Sequence, residues 1–262
     1  MRQRPGRPSG SMIIAGVLIL ILAVVTVVGA LTAFQPPEAI TEQGKHTVLL
    51  YQFVLAISFL VFFGVTSALI YAVFRFKRTG PEMPVQVHGS STLEFAWTAI
   101  PVLILVALFI PSVLLVVDLK TPPAEAEADV SINVVGHQWW WEFDYDKDGI
   151  KVQAVPPKYD DLVPPVLVVP VDKEISLTIR STDVIHSFYA PNLLYKIQAI
   201  PGNINKMHFK AEKTGTFTGQ CYQFCGTRHA DMRWTLQVMS QADYDKWLRD
   251  TKAAQPAPGA PR

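Results

Sequence analysis

From Val48 to Phe74 the chain runs for 27 residues without an Asp, Glu, Lys or Arg. As a helix that stretch is about 40 Å long, more than the ~30 Å thickness of a bilayer's hydrocarbon core. A buried helix of a soluble protein rarely stays uncharged for so long. Two further runs have the same character: Met12–Phe34, and Phe95–Val117, which ends at Asp118. Lipid offers a backbone no hydrogen-bond partners, so spans of this kind have to be helical. Half of the chain is hydrophobic and only 17% is charged, and the apolar residues are concentrated in these runs. Pro101 lies near the start of the third run, where it is easily tolerated. Pro111 lies inside it and is expected to kink the helix.

The first run reads two ways. Arg2, Arg4 and Arg7 form a basic flank, and the run ends in small residues around Gly29-Ala30-Leu31-Thr32-Ala33. That is the layout of a secretory signal with a cleavage site, but the apolar stretch is long enough to remain as a span. Arg75, Lys77 and Arg78 directly follow the second run. Basic residues mark the cytoplasmic side, so the loop from there to about Glu94 is expected inside and everything after Asp118 outside. In a bacterium the outside is the periplasm, and the expected location is the inner membrane, crossed more than once.

After Thr121-Pro122-Pro123-Ala-Glu-Ala-Glu-Ala-Asp129, which reads as a linker, the pattern changes. Val130–Val135, Trp139–Tyr145, Val166–Val171, Glu174–Arg180, Ile204–Phe209 and Trp234–Val238 are candidate strands, separated by Gly, Pro and Asp turns. Six or more short strands in about 120 residues suggest a β-sandwich or small barrel. Gln241–Lys252 reads as a terminal helix, and the three prolines of Ala253–Arg262 read as a disordered tail. The expected division is 1–34 signal peptide or extra span, 45–120 transmembrane helical hairpin, 122–240 all-β domain, and 241–262 helix and tail. The residues after Asp118 carry 16 Lys/Arg and 17 Asp/Glu, a balance that gives no electrostatic case for nucleic acid. Glu142, Asp144, Asp146 and Asp148 make a local acidic strand and turn, either a solvated turn or a docking edge for a basic partner.

The chemistry is concentrated in Cys221-Tyr-Gln-Phe-Cys225-Gly-Thr-Arg-His229-Ala-Asp-Met232, which holds the only two cysteines. Two thiolates, an imidazole and a thioether are a soft donor set, which selects copper, zinc or iron–sulfur over magnesium or calcium. A disulfide or a structural zinc site could use the same cysteines. The thioether favours an electron-transfer copper site, where a weak Met ligand is common. His186, in Ser181-Thr-Asp-Val-Ile-His186-Ser-Phe188, is the candidate second imidazole, and Asp183 is placed to orient its ring. His46, His88 and His137 lie near membrane ends or beside tryptophans and are poorer candidates. In Gly136-His137-Gln138-Trp139-Trp140-Trp141 the side chains of a strand would alternate, so at least one indole is expected at the surface.

These segments resemble subunit II of the haem–copper cytochrome c oxidases. The cysteine loop resembles that family's CuA loop, Asp183-Val-Ile-His186-Ser-Phe its distal-histidine segment, and Gly136-His137-Gln138-Trp139 its aromatic motif. Glu94-Phe-Ala-Trp97-Thr-Ala-Ile-Pro101 resembles the start of its second helix. The match runs from about residue 45 to 250. The resemblance implies a cupredoxin-like sandwich behind a two-helix hairpin, and a mixed-valence dicopper centre bridged by Cys221 and Cys225. It implies His186 and Met232 on one copper, and His229 with the backbone carbonyl of Gln223 on the other. It implies Trp139 as the point where electrons arrive from cytochrome c, and Glu94 as a carboxylate near a proton-uptake route into subunit I. The implied partners are subunit I, which bears the haems, subunit III, and cytochrome c or another small periplasmic donor. The implied activity is that of cytochrome c oxidase, exercised by the whole complex.

One position departs from the family pattern. Many members carry Glu where this chain has Gln223. The backbone carbonyl survives that change, but the Glu side chain also binds an interface magnesium, and an amide is a weaker ligand for so hard a cation. No Cys-x-x-Cys-His occurs, so the donor is expected to be a separate protein. A quinol oxidase subunit would need no copper ligands. A nitrous oxide reductase would need many more histidines than the six here. A copper carrier would not need helices suited to docking on other helices.

Overall fold

The structure, a computed structural model, describes residues 10–33, 35–76, 80, 81, 83, 86, 88–121, 128–145, 147–153 and 163–255. The expectations resting on Arg2, Arg4, Arg7, Lys77, Arg78, Asp146, most of the 121–129 linker and the end of the tail fall outside those residues. Contacts divide the chain into two units, one holding residues 1–36 and 49–110, the other residues 37–48 and 111–262.

The first unit is helical. α1 spans Gly10–Ala33, α2 spans Glu42–Arg75 and α3 spans Ser91–Lys120, the last two continuing into the second unit. α2 and α3, at 34 and 30 residues, are long and apolar enough to cross a membrane. Their large side chains face outward along the whole length, with Leu60 73% and Phe95 76% exposed, an arrangement that water would oppose and lipid would not. α3 stays helical through both Pro101 and Pro111.

The second unit is a sandwich of two five-stranded sheets. The strands are β1 (Val130–His137), β2 (Trp140–Tyr145), β3 (Ile150–Gln153), β4 (Val166–Pro170), β5 (Glu174–Ser181), β6 (His186–Tyr189), β7 (Lys196–Ala199), β8 (Asn205–Lys210), β9 (Gly215–Cys221) and β10 (Arg233–Met239). One sheet has the order β3-β2-β1-β5-β8, the other β4-β10-β9-β6-β7. Each sheet contains one parallel pair, β1 with β5 and β10 with β4, among antiparallel neighbours. The four strands that the sequence analysis did not find, β3, β6, β7 and β9, are short or start at a turn residue. β9 begins at Gly215.

Alternation builds the core. Along β2 every second side chain, Trp141, Phe143 and Tyr145, is buried. Phe188 and Trp234 come from the opposite sheet and stack with centroids 4.0 Å apart. Phe143 meets both edge-on, at 6.2 and 5.9 Å, the geometry the ring quadrupoles favour. Gly219 sits directly opposite Trp234 in the β9–β10 register. A Cβ there would lie 2.0 Å from the Trp234 ring, so only glycine lets the indole lie flat on its neighbour. Tyr145 joins the two sheets. Its hydroxyl donates to the Val168 carbonyl and accepts from the Val168 N–H, both at 2.8 Å. β4 is an edge strand, and those are groups of Val168 that no strand pairs.

Around this core are two additions. α4 (Gln241–Ala254) is capped by Ser240, whose hydroxyl accepts from the Asp243 N–H at 3.2 Å. It packs Tyr244 and Trp247 beside Tyr145. The segment before α2 also joins the sandwich: Ile40 is 1% exposed and belongs to the core. Its N–H donates to the Asn192 carbonyl at 3.1 Å, and its carbonyl accepts from the Glu212 N–H at 2.9 Å. Burial of the isoleucine is worth about 2 kcal/mol and each hydrogen bond about 1 kcal/mol. The neighbouring ion pairs, Lys213 with Glu38 and Lys45 with Glu212, are exposed and contribute less.

Candidate metal centre

The cysteine loop is the connection of the β9–β10 hairpin. β9 ends at Cys221 and β10 begins just after Met232, with Gln220 opposite Arg233. The Cys221 N–H donates to the Met232 carbonyl at 2.9 Å. The antiparallel register thereby brings the first and last residues of the twelve-residue motif together. Between them a short 3-10 turn, His229–Asp231, starts on a hydrogen bond from the His229 N–H to the Gly226 carbonyl at 3.2 Å. β6 runs beside β9 in the same sheet, with Phe188 opposite Cys221, so His186 at the head of β6 arrives beside Cys221 from 35 residues away.

All six residues singled out by the motif and the distal histidine lie in one place. The Cys221 and Cys225 sulfurs are 3.9 Å apart, too far for the ~2 Å bond of a disulfide. His186 Nδ1 is 4.0 Å from the Cys221 sulfur and His229 Nδ1 is 3.5 Å from the Cys225 sulfur. Met232 Sδ is 3.9 Å from the Cys225 sulfur, and the Gln223 carbonyl is 3.2 Å from the Cys221 sulfur. Cys221, His186 and Met232 are fully buried and Cys225 nearly so. The donor atoms of His186, Cys221 and Cys225 lie within 4.8 Å of one another.

The electrostatics suit a cation. Burial alone would push the Cys221 thiol up, but the His186 ring and hydrogen bonds to the Ser187 and Gln223 backbones outweigh it and hold the thiol below its usual value. Burial and the neighbouring Cys221 charge push Cys225 up to about 12. Two adjacent thiolates therefore need positive charge between them, and a metal ion supplies it. Burial pulls His186 down, but its bonds to Cys221 and Asp183 outweigh that and raise it. A buried Met sulfur in the same cluster is no use to a structural zinc and suits copper. The donor set fits a copper site.

The second ring of contacts explains the aromatic motif. Gly136 in β1 faces His186, and a Cβ there would lie 2.9 Å from the His186 ring and 3.2 Å from Trp141. Asp183 Oδ1 holds His186 Nε2 at 2.8 Å, and Asp183 Oδ2 accepts from the Gln138 N–H at 2.7 Å. The Gln138 side-chain amide and the Trp139 indole N–H both donate to the Cys225 carbonyl, at 2.7 and 3.1 Å. Gly226, at φ +122°, passes so close beneath Trp139 that a Cβ would sit 3.0 Å from its ring. The sequence pattern predicts a strand from Trp139 to Tyr145, with at least one of the three indoles at the surface. The structure instead places Trp139 in the two-residue turn between His137 and Trp140, half-buried against the cysteine loop. Strand alternation starts only at Trp140. The clamp by Gln138 was not anticipated; its only sequence signal is its position between His137 and Trp139.

Two other expected features have surroundings of their own. Glu94 is exposed in the first turn of α3, and its carboxylate is close to Gly89. The acidic strand is not bare: Lys151 of β3 sits 2.9 Å from Asp144 and 3.6 Å from Glu142.

Comparison with known proteins gives one consistent result. Residues 30–115 match the family described as cytochrome c oxidase subunit II, transmembrane domain, and residues 130–239 match cytochrome c oxidase subunit II, periplasmic domain. The probable cytochrome c oxidase subunit 2 of Rickettsia bellii is 32% identical over 225 residues, covering 82% of each chain. Cytochrome c oxidase subunit 2 of Alkalihalophilus pseudofirmus is 32% identical over 226 residues, 85% of this chain and 63% of the relative's length. Among solved structures, the periplasmic domain of subunit II of cytochrome oxidase from Bradyrhizobium japonicum is 37% identical. It covers 48% of this chain and 95% of its own, with a TM-score of 0.43.

Proposed function

The chain belongs to the cytochrome c oxidase subunit II family. On that premise we propose that it is the electron-accepting subunit of a haem–copper terminal oxidase, set in a bacterial inner membrane by α2 and α3 with its sandwich on the periplasmic side. It takes electrons from cytochrome c or another small periplasmic donor. It passes them to the haem-bearing subunit I, which reduces oxygen to water with coupled proton translocation; subunit III completes the complex. The observation that carries this reading is the convergence of two buried cysteines, two histidines and a buried methionine on one spot of an exported sandwich.

In this reading Cys221, Cys225, His186, His229, Met232 and the Gln223 carbonyl would hold a pair of copper ions, which would supply one-electron chemistry. The protein's own residues set its conditions. Asp183 fixes the His186 ring through Nε2, leaving Nδ1 aimed at Cys221. Burial of Cys221, His186 and Met232 keeps water from the soft ligands. Trp139, bonded to the Cys225 carbonyl, offers a short bonded route from the surface into the loop. Glu94 serves a proton route into subunit I. Gln223 brings an amide where a carboxylate would hold magnesium, and magnesium has no part in this reading.

Metal analysis and EPR of the purified complex test it. Two coppers per chain and the hyperfine pattern of one electron shared by two copper nuclei are expected, and both are lost in Cys221→Ser and Cys225→Ser. Zinc, a single copper, or a shared-electron pattern surviving either substitution would overturn it.

A further inference from the structure

Most of the proposed side-chain ligands are placed by the sheet that carries them. The β6–β9 pairing brings His186 beside Cys221. The Cys221 N–H holds the Met232 carbonyl, and His229 starts a 3-10 turn of its own. Cys225 is different. It lies in the middle of the loop, and among the described residues no backbone-to-backbone hydrogen bond outside the helices and strands reaches it. Its carbonyl instead takes its bonds from the turn between β1 and β2, in the other sheet. Gln138 Nε2 donates to it at 2.7 Å and Trp139 Nε1 at 3.1 Å. A carbonyl oxygen has two lone pairs, so both are used.

Of those two donors, Gln138 also grips the opposite side of the cluster. Its backbone N–H donates to Asp183 Oδ2 at 2.7 Å, and Asp183 Oδ1 holds His186 Nε2 at 2.8 Å. One residue thus ties the segment that orients His186 to the loop that carries Cys225. We propose that Gln138 is a positioning residue for the metal centre. It sets the separation between the His186 ring and the Cys225 sulfur, which no strand register sets. This rests on the proposed function above. Electron exchange at a metal is fast only when the ligands keep their places in both oxidation states, and a cysteine free to move with its loop adds to the rearrangement. The loop lies directly against the amide: a Cβ on Gly226 would be 3.2 Å from Gln138 Nε2. Gln138 itself is exposed at a hairpin turn and outside the hydrophobic core, so its side chain can be replaced without disturbing the packing of the sandwich.

The test uses the assembled complex with two substitutions. Gln138→Met keeps the length and loses the donor. Gln138→Glu keeps the shape and turns a carboxylate oxygen toward the Cys225 carbonyl. Trp139→Ala is the comparison, because it removes a donor from the same carbonyl and leaves the contact from Asp183 to Cys225 whole. Copper loss to an excess of chelator, the copper EPR spectrum and the reduction potential are measured. Copper should leave ~10-fold faster or more in Gln138→Met, as happens when a residue supporting a metal ligand is removed. It should leave faster still in Gln138→Glu, and both variants should show an altered hyperfine pattern and a shifted potential. Trp139→Ala should keep wild-type retention and spectrum. Wild-type retention, spectrum and potential in both Gln138 variants overturn the inference. So does an equal loss in Trp139→Ala, which would assign the effect to any donor on that carbonyl. Failure of both Gln138 variants to assemble also overturns it, since Gln138 would then be a folding residue. A wild-type complex lacking the shared-copper signal would sink the proposed function itself, whereas Gln138 variants with nothing altered sink this inference alone.

Discussion

The indole N–H of Trp139 donates to the backbone carbonyl of Cys225 across 3.1 Å. A half-buried aromatic is thereby bonded to the peptide of a residue whose sulfur lies in the cysteine–histidine cluster. Gln138 shares the same carbonyl, so the loop keeps its anchor if the indole is removed. Trp139→Ala should leave the copper EPR spectrum intact and slow electron uptake from the donor by ~10-fold or more, since a positioned contact is lost. Stopped-flow oxidation of cytochrome c by the complex measures it; wild-type uptake would remove Trp139 from the pathway.

Met232 is fully buried with its sulfur 3.9 Å from that of Cys225. Leucine conserves the volume, so Met232→Leu should cost less than about 1.5 kcal/mol of stability. Copper should remain bound with a shifted reduction potential, because the weak thioether ligand tunes it. Redox titration followed optically decides: an unchanged potential means the thioether does not touch copper.

Tyr145 ties β2 to the free edge of β4 through both polar groups of Val168. Tyr145→Phe strands those groups in a buried place, and about 1–3 kcal/mol of stability should be lost. Denaturant unfolding would show a lower midpoint at constant slope, with the copper spectrum of the folded protein unchanged.

Glu94 lies far in sequence from every proposed copper ligand and is exposed at the start of α3. Glu94→Ala should lower the turnover and proton uptake of the complex while leaving copper content and electron uptake alone. Full proton uptake in the variant would exclude the carboxylate from the route.

Much of this was readable in advance. Long uncharged runs can only be membrane-compatible helices, because charge and water cannot be hidden over 27 residues. The ligand types and their spacing in the 221–232 loop were legible because soft-metal chemistry uses few residue types. The short strands were harder. His186–Tyr189 and Lys196–Ala199 have no length over which alternation can show, and they become strands only by pairing with each other and with β9. Trp139 was misplaced for a related reason: three tryptophans in a row look like strand, and only the pairing of His137 with Trp140 makes the first of them a turn.

By itself the sequence determined that the chain has apolar spans, an exported β-rich domain and a soft metal-binding loop, since hydropathy, turn residues and donor chemistry are local properties. Only the tertiary structure decided which distant residues those donors meet. The β9–β10 register sets Met232 against Cys221, the β6–β9 pairing delivers His186, and the bare backbones of Gly136 and Gly226 admit the His186 and Trp139 rings. It also decided that residues 38–44 are sandwich and not merely the start of a span, because Ile40 finds its burial and its hydrogen bonds only there. Contacts of that kind depend on which strands lie side by side, and no local pattern encodes them.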